Sequence, residues 1–97
     1  MADIIFIHGA GDSSTVWSRQ THALFAAHRV LAIDLPGHGT RLTESGHDRH
    51  ELNAEEVRCM MDRAGISKAV VVGHSMGSGV ALMLALNHPE QIGRAHV

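Results

Sequence analysis

Cysteine is almost missing from this chain: Cys59 stands alone among 97 residues, so no internal disulfide can form. Such usage suits a reducing compartment. The first residues, Met1-Ala2-Asp3, bring an acidic side chain early, and the apolar run after them is too short for a secretory leader. A cytoplasmic location is therefore expected. No apolar stretch is long enough to span a bilayer, so no membrane partner is expected either. Basic character is equally scarce. Lys68 is the only lysine, and eight Lys and Arg stand against ten Asp and Glu for a formal charge of −2. That balance, without a basic patch, argues against nucleic acid as a partner. There is no internal repeat and no low-complexity tract. Cys59 lies in a helical stretch, where a small core or boundary residue is expected rather than a nucleophile.

An apolar content of 44% places the chain among ordinary globular proteins, and its length suffices for one small domain. Short apolar runs alternate with helical patterns. Strands are expected near Ile4–Ile7, Val30–Asp34 and Ala69–Val72. A first helix is expected over about 16–27, with Trp17, Leu24 and Phe25 on its apolar side. A second is expected from Asn53, where the Asn–x–x–Glu spacing to Glu56 has the form of a capping box. It presents Val57, Met60, Met61 and Ala64 and stops at Gly65. The third is expected from Met76 to about Asn87, before Pro89. The polar stretch from Thr40 to Leu52 reads as a surface connection. Strand–helix alternation of this kind predicts an α/β fold, a three-stranded parallel sheet with flanking helices.

The richest stretch is Val70-Val71-Val72-Gly73-His74-Ser75-Met76-Gly77. It places a serine where a β-branched run gives way to good helix formers. In that setting Gly-x-Ser-x-Gly describes a nucleophile elbow, a strained turn whose glycines let neighbouring backbone approach. The helix beginning there aims its first N–H groups at negative charge developing nearby. A bare Gly-x-Ser-x-Gly also occurs as an ordinary turn, and the flanking strand and helix are what favour chemistry here. Ile4-Ile5-Phe6-Ile7 runs into His8-Gly9-Ala10-Gly11-Asp12-Ser13-Ser14, a glycine-rich turn at the carboxyl end of a buried strand. Such a turn presents bare N–H groups above the sheet, as a second arm of an oxyanion hole would. A third strand-like run, Val30 to Ile33, leads into Asp34-Leu35-Pro36-Gly37-His38-Gly39.

Taken in order, His8-Gly9-Ala10-Gly11, Trp17, the Asp34–Gly39 turn and Gly73-His74-Ser75-Met76-Gly77 resemble the α/β-hydrolase family, most nearly its bacterial esterase-type members. The similarity runs from about Ile4 to Gln91. It implies that Ser75 is the nucleophile and that the backbone N–H groups of Met76 and Ala10 form the oxyanion hole, with His8, Gly9, Gly73, His74 and Gly77 in support. It implies acyl transfer on a small-molecule ester or related acyl substrate, without a cofactor. It also places the first strand between the other two. Substrate identity stays open, because the fold hosts many reactions and its pockets are built largely by a later cap.

Family members carry an acid and then a histidine after the nucleophile. After Ser75 this chain offers only Glu90, His88 and His96. At about 1.5 Å rise per residue, His88 falls roughly 20 Å from Ser75, and His96 lies in a tail with no expected strand. The triad is therefore expected to be incomplete within this chain, and the chain alone inactive. Ile92-Gly93-Arg94-Ala95-His96-Val97 is also what one reading frame of a common short-read sequencing adapter encodes. Residues 1–91 are accordingly expected to be the N-terminal portion of the hydrolase domain, and residues 92–97 a non-native tail.

Competing readings can be set beside this one. The nine histidines invite a metal, yet they are scattered, and no helical i, i+4 pair has a third ligand in prospect. His47, His50, Asp48 and Glu51 read more simply as a solvated loop, and no metal is expected. Gly9-Ala10-Gly11 followed by Asp34 also fits a dinucleotide-binding module, with Asp34 as the ribose acid. Against it, Ser14 occupies the third glycine position and Gly73–Gly77 is left without a purpose. A catalytically inert version of the hydrolase fold is the remaining alternative. Asp34 precedes the serine, so it is expected to pin the following turn rather than to serve as the triad acid.

Overall fold

The computed structural model describes residues 2–97. β1 (Asp3–Ile7), β2 (Arg29–Ile33), β3 (Ala69–Gly73) and β4 (Ile92–His96) form one sheet in the order β2-β1-β3-β4, every neighbouring pair parallel. Between them run α1 (Ser18–Leu24), α2 (His50–Arg63) and α3 (Met76–Asn87). β1 lies between β2 and β3, and Ile7 pairs with Ile33 on one side and with Gly73 on the other. The loops that follow β1 and β3 therefore emerge side by side.

Strand alternation sends residues to two faces. Ile5 and Ile7 of β1 join Val71 of β3 and Leu35 against α2 and α3, where Val57, Met61, Val80 and Leu84 complete a dry core. Each such side chain contributes about 1.5–3 kcal/mol on burial. Phe6 points to the opposite face, where its ring meets the Trp17 indole at 4.8 Å between centroids. At the other end of the sheet Arg29 acts as a staple. Its guanidinium donates to both Asp3 carboxylate oxygens at 2.9 Å and to the Ala64 carbonyl at 3.0 Å, joining β1, β2 and the end of α2.

The fourth strand corrects the expectation of three. Ile92-Gly93-Arg94-Ala95-His96 has no apolar run to announce it. It is extended because β3 offers an unpaired row of backbone donors and acceptors, which pairing satisfies. The ladder is irregular at its start: Ala69 faces Ile92 but Val70 faces Arg94. His96 consequently stands opposite Val72 near the carboxyl end of β3, held in a strand rather than loose in a tail.

Three helical details also differ. A 3₁₀ turn over Ser14–Trp17 precedes α1, which ends at Leu24, and Phe25 is exposed rather than on an apolar face. α2 starts at His50, three residues before the expected cap; Asn53 is buried inside the helix, and Glu56 accepts from Arg41 and His47 instead of closing a capping box. Cys59 is exposed, not a core residue. The end of α2 follows the expectation. Gly65 takes φ +70°, its N–H reaches the Asp62 carbonyl, and the Ile66 N–H reaches that of Met61 at 2.8 Å while Ile66 is buried.

Candidate active site

Ser75 is the only non-glycine residue at positive φ among the described residues, with φ 56° and ψ −115°. Holding a side-chain-bearing residue there costs on the order of 1–3 kcal/mol, so its surroundings must impose it. They do so through backbone contacts. The His74 N–H donates to the Ile7 carbonyl at 3.1 Å, fixing the turn to the end of β1. The Gly77 N–H donates to the His74 carbonyl at 2.9 Å, and the Ser78 hydroxyl reaches back to the Gly73 carbonyl at 3.1 Å. A Cβ on Gly73 would collide with the Gly77 carbonyl, and one on Gly77 with the Ile7 carbonyl oxygen. α3 begins at once with Met76, leaving the Ser75 side chain exposed above the sheet.

The turn after β1 is held as firmly. His8 is fully buried; its Nε2 accepts the Leu35 N–H at 3.1 Å, so Nδ1 carries the hydrogen and donates to the Gly9 carbonyl at 2.7 Å. Its ring also packs on His38, 4.7 Å away between centroids. Gly9 lies against the elbow: a Cβ there would meet the Ser75 Cβ at 3.1 Å and the His74 carbonyl oxygen at 3.3 Å. Asp12 closes the turn by donating its N–H to the Gly9 carbonyl at 3.1 Å.

Asp34 does more than the pinning of its own turn expected of it. One carboxylate oxygen accepts the Ser14 N–H at 2.8 Å, and the other accepts the Thr40 hydroxyl at 2.8 Å and the Thr40 N–H at 3.2 Å. It thus ties the far end of the β1 turn to the segment after β2. Partial burial works to raise the Asp34 carboxyl, but these hydrogen bonds outweigh it and hold the group below its ordinary 3.8. With both oxygens engaged, Asp34 is not free to receive a ribose, which removes the main support for a dinucleotide site.

Several backbone N–H groups of these two turns, Gly9, Gly11 and Ser75 among them, have no acceptor among the described residues, and two of them are the expected donors. Neither the Met76 N–H nor the Ala10 N–H has an acceptor among the described residues. Both belong to turns that meet at the carboxyl ends of β1 and β3. Hollows open near these turns, lined by their neighbours rather than by Ser75, Met76 or Ala10 themselves. One of about 240 Å³ is lined by Asp12, Val16, Trp17, Gln20 and His74, and another of about 380 Å³ lies on the far side of Asp12 and Val16, toward His38 and Leu42. A roomier hollow, about 440 Å³, lies along β2 between Leu31, Met60 and Arg63, and no residue of the elbow lines it. The geometry provides an exposed hydroxyl on a strained turn, neighbouring free N–H groups and room for a substrate.

Other candidates are engaged elsewhere. His88 contacts Glu55 at 2.9 Å at the opposite end of α3 from Ser75, and His47 contacts Glu56 at 3.1 Å. His50 packs against Gly79. No three His, Cys, Asp or Glu side chains converge as a metal-holding group among the described residues. The sequence reading missed Asp12 and the hollow beside Trp17. The only signal for Asp12 was a carboxylate immediately after Gly9-Ala10-Gly11.

Comparison with known proteins agrees with the fold. A family model described as the alpha/beta hydrolase fold matches residues 4–97. The chain belongs to the alpha/beta hydrolase fold family. Among its relatives in that family, the dihydrolipoyllysine-residue acetyltransferase component of the acetoin cleaving system of Cupriavidus necator is 40% identical over 89 residues, covering 92% of this chain and 24% of its own length. A 2-hydroxy-6-oxononadienedioate/2-hydroxy-6-oxononatrienedioate hydrolase of a Pseudomonas species is 33% identical over 95 residues, covering 94% and 34%. A solved structure of an N-acyl homoserine lactone degrading enzyme superposes with a TM-score of 0.81 at 27% identity, covering 95% and 36%. The chain thus spans about a quarter to about a third of the length of these similar proteins.

Proposed function

We propose that the whole protein is a serine hydrolase acting on a carboxylic ester or related acyl substrate. The observation that carries this reading is Ser75 at φ 56° on a strand–helix turn, beside two backbone N–H groups without acceptors. Ser75 Oγ attacks the substrate carbonyl, and the N–H groups of Met76 and Ala10 receive the oxyanion that forms. Donors of this kind are each worth about 2.7–4 kcal/mol of barrier in other hydrolases. The carbonyl carbon gains a bond to Oγ and loses its bond to the alcohol, which departs with the proton taken from the serine. Water then cleaves the acyl–Oγ bond, releasing the carboxylic acid and restoring the hydroxyl.

In this reading the imidazole base and its carboxylate come from the part of the relatives' length that this chain does not span. His88 is paired with Glu55 at the other end of α3 and takes no part. The names of the similar proteins, hydrolases of several kinds among them, support a hydrolase in general and leave the substrate open. A neutral alkyl fluorophosphonate tests the reading. The expected outcome is covalent labelling of Ser75 in the whole protein, none in Ser75→Ala, and a fall in ester turnover on the order of 10⁶-fold for that variant. Labelling that persists in Ser75→Ala would remove the proposal.

A further inference from the structure

Asp12 is the one charged side chain brought to the nucleophile by the turn after β1. Its Oδ2 lies 3.4 Å, and the Ser75 Cβ 3.1 Å, from the point where a Cβ on Gly9 would stand, so carboxylate and nucleophile flank the same spot. Asp12 is half-buried, and its carboxylate has neither a hydrogen-bond nor an ion-pair partner among the described residues. This contrasts with Asp34, whose oxygens accept three hydrogen bonds. A carboxylate left unpaired in a partly enclosed place gains from a ligand that brings positive charge and repels one that brings negative charge.

The cavity it faces has matching chemistry. Asp12 and Val16 line both hollows that flank the β1 turn, so the carboxylate stands on the partition between them. In the smaller hollow the other walls include the Trp17 indole, one face of which is taken by Phe6. An indole beside a carboxylate is a setting that favours an amine or ammonium group, through ring quadrupole and charge together. Gln20 and His74 complete the lining.

We infer that Asp12 sets the charge preference of the Ser75 site, favouring acyl substrates that carry an amine or ammonium group and disfavouring those that carry a second carboxylate. The inference rests on the serine-hydrolase reading and narrows its substrate class. Asp12 is a specificity residue here: it performs no step of bond exchange, and its effect falls on which substrate reaches Ser75.

Three fluorophosphonates of equal arm length, ending in a methyl, a trimethylammonium or a carboxylate group, test it on the whole protein. The expected result is labelling of Ser75 by the cationic probe at least about tenfold faster than by the anionic one, a preference that shrinks as salt is raised. In Asp12→Asn the ratio of the two rates should collapse toward one, and in Asp12→Lys it should invert. Because the ratio is read, a change in overall reactivity does not obscure the result. Should either variant fail to fold, the salt dependence in the unaltered protein carries the test. Equal rates for the two charged probes, or a preference that survives Asp12→Asn, would overturn the inference while leaving the serine-hydrolase reading intact. Failure of the methyl probe to label Ser75 would instead overturn that reading, and this inference with it.

Discussion

Gly77 and Gly65 are both required, for different physical reasons. Gly77 sits on the first turn of α3 with backbone of β1 where a side chain would go, whereas Gly65 has open space around it and is needed only for its φ of +70°. Replacing each with alanine separates the two costs. Gly65→Ala should lose about 1–2 kcal/mol, the penalty of a left-handed residue with a Cβ. Gly77→Ala should lose about 3 kcal/mol or more, because the Ile7 carbonyl belongs to a central strand and cannot move aside cheaply. Urea melts of the two variants measure the difference. Equal losses would mean that the elbow tolerates a looser seat on β1 than the close approach indicates. Both glycines were readable from the chain alone, Gly65 as a helix stop and Gly77 as a position that admits neighbouring backbone, but which backbone approaches Gly77 was not. The contact that constrains Gly77 comes from a residue seventy positions earlier.

At the level of elements, the segment between β2 and α2 hangs on one small charge network. Arg41 donates to Glu44 at 2.7 Å and to Glu56 at 3.1 Å, and His47 meets the other oxygen of Glu56 at 3.1 Å. Partial burial acts to raise the Glu56 carboxyl, and the contacts from His47 and Arg41 overcome it, leaving the group below its ordinary 4.5. A carboxyl depressed on folding stabilises fully above its unfolded value and loses that contribution as pH falls through the folded one. The 42–49 segment should therefore stay anchored above pH 4.5 and loosen below it, seen as faster amide exchange there. Glu56→Gln should exchange fast in this segment at every pH. The same network explains why the start of α2 was misplaced: Asn53 and Glu56 have the spacing of a cap, but tertiary partners claim Glu56 and the core claims Asn53. Strands with apolar runs were legible because burial imposes their pattern, and α3 because good helix formers follow the elbow and Pro89 stands just past its end. β4 was not, since pairing with β3 makes it a strand and Gly93, Arg94 and His96 carry no such pattern.

Viewed as a whole, the molecule keeps one side of its sheet well covered and leaves apolar surface elsewhere. Leu82 and Leu86, one turn apart on α3, are 50% and 75% exposed, and Phe25 is 64% exposed beyond α1. Exposed leucines in a row on an otherwise apolar helix favour self-association. The 97-residue chain alone should sediment as concentration-dependent oligomers, and Leu86→Lys should shift it toward monomer; a sharp monomer peak for the unaltered chain at all concentrations would contradict this. The site is organised quite differently from this surface. His74 is bonded to the Ile7 carbonyl, Gly77 is pressed against it, and the Ala10 turn leaves the same strand one step later. Ser75 and the N–H groups of Met76 and Ala10 thus share a single foundation stone. A substitution that shifts β1 carries both along, so the spacing between them outlasts drift in everything around it, and reshaping the surrounding walls is the safer way to change what the protein accepts.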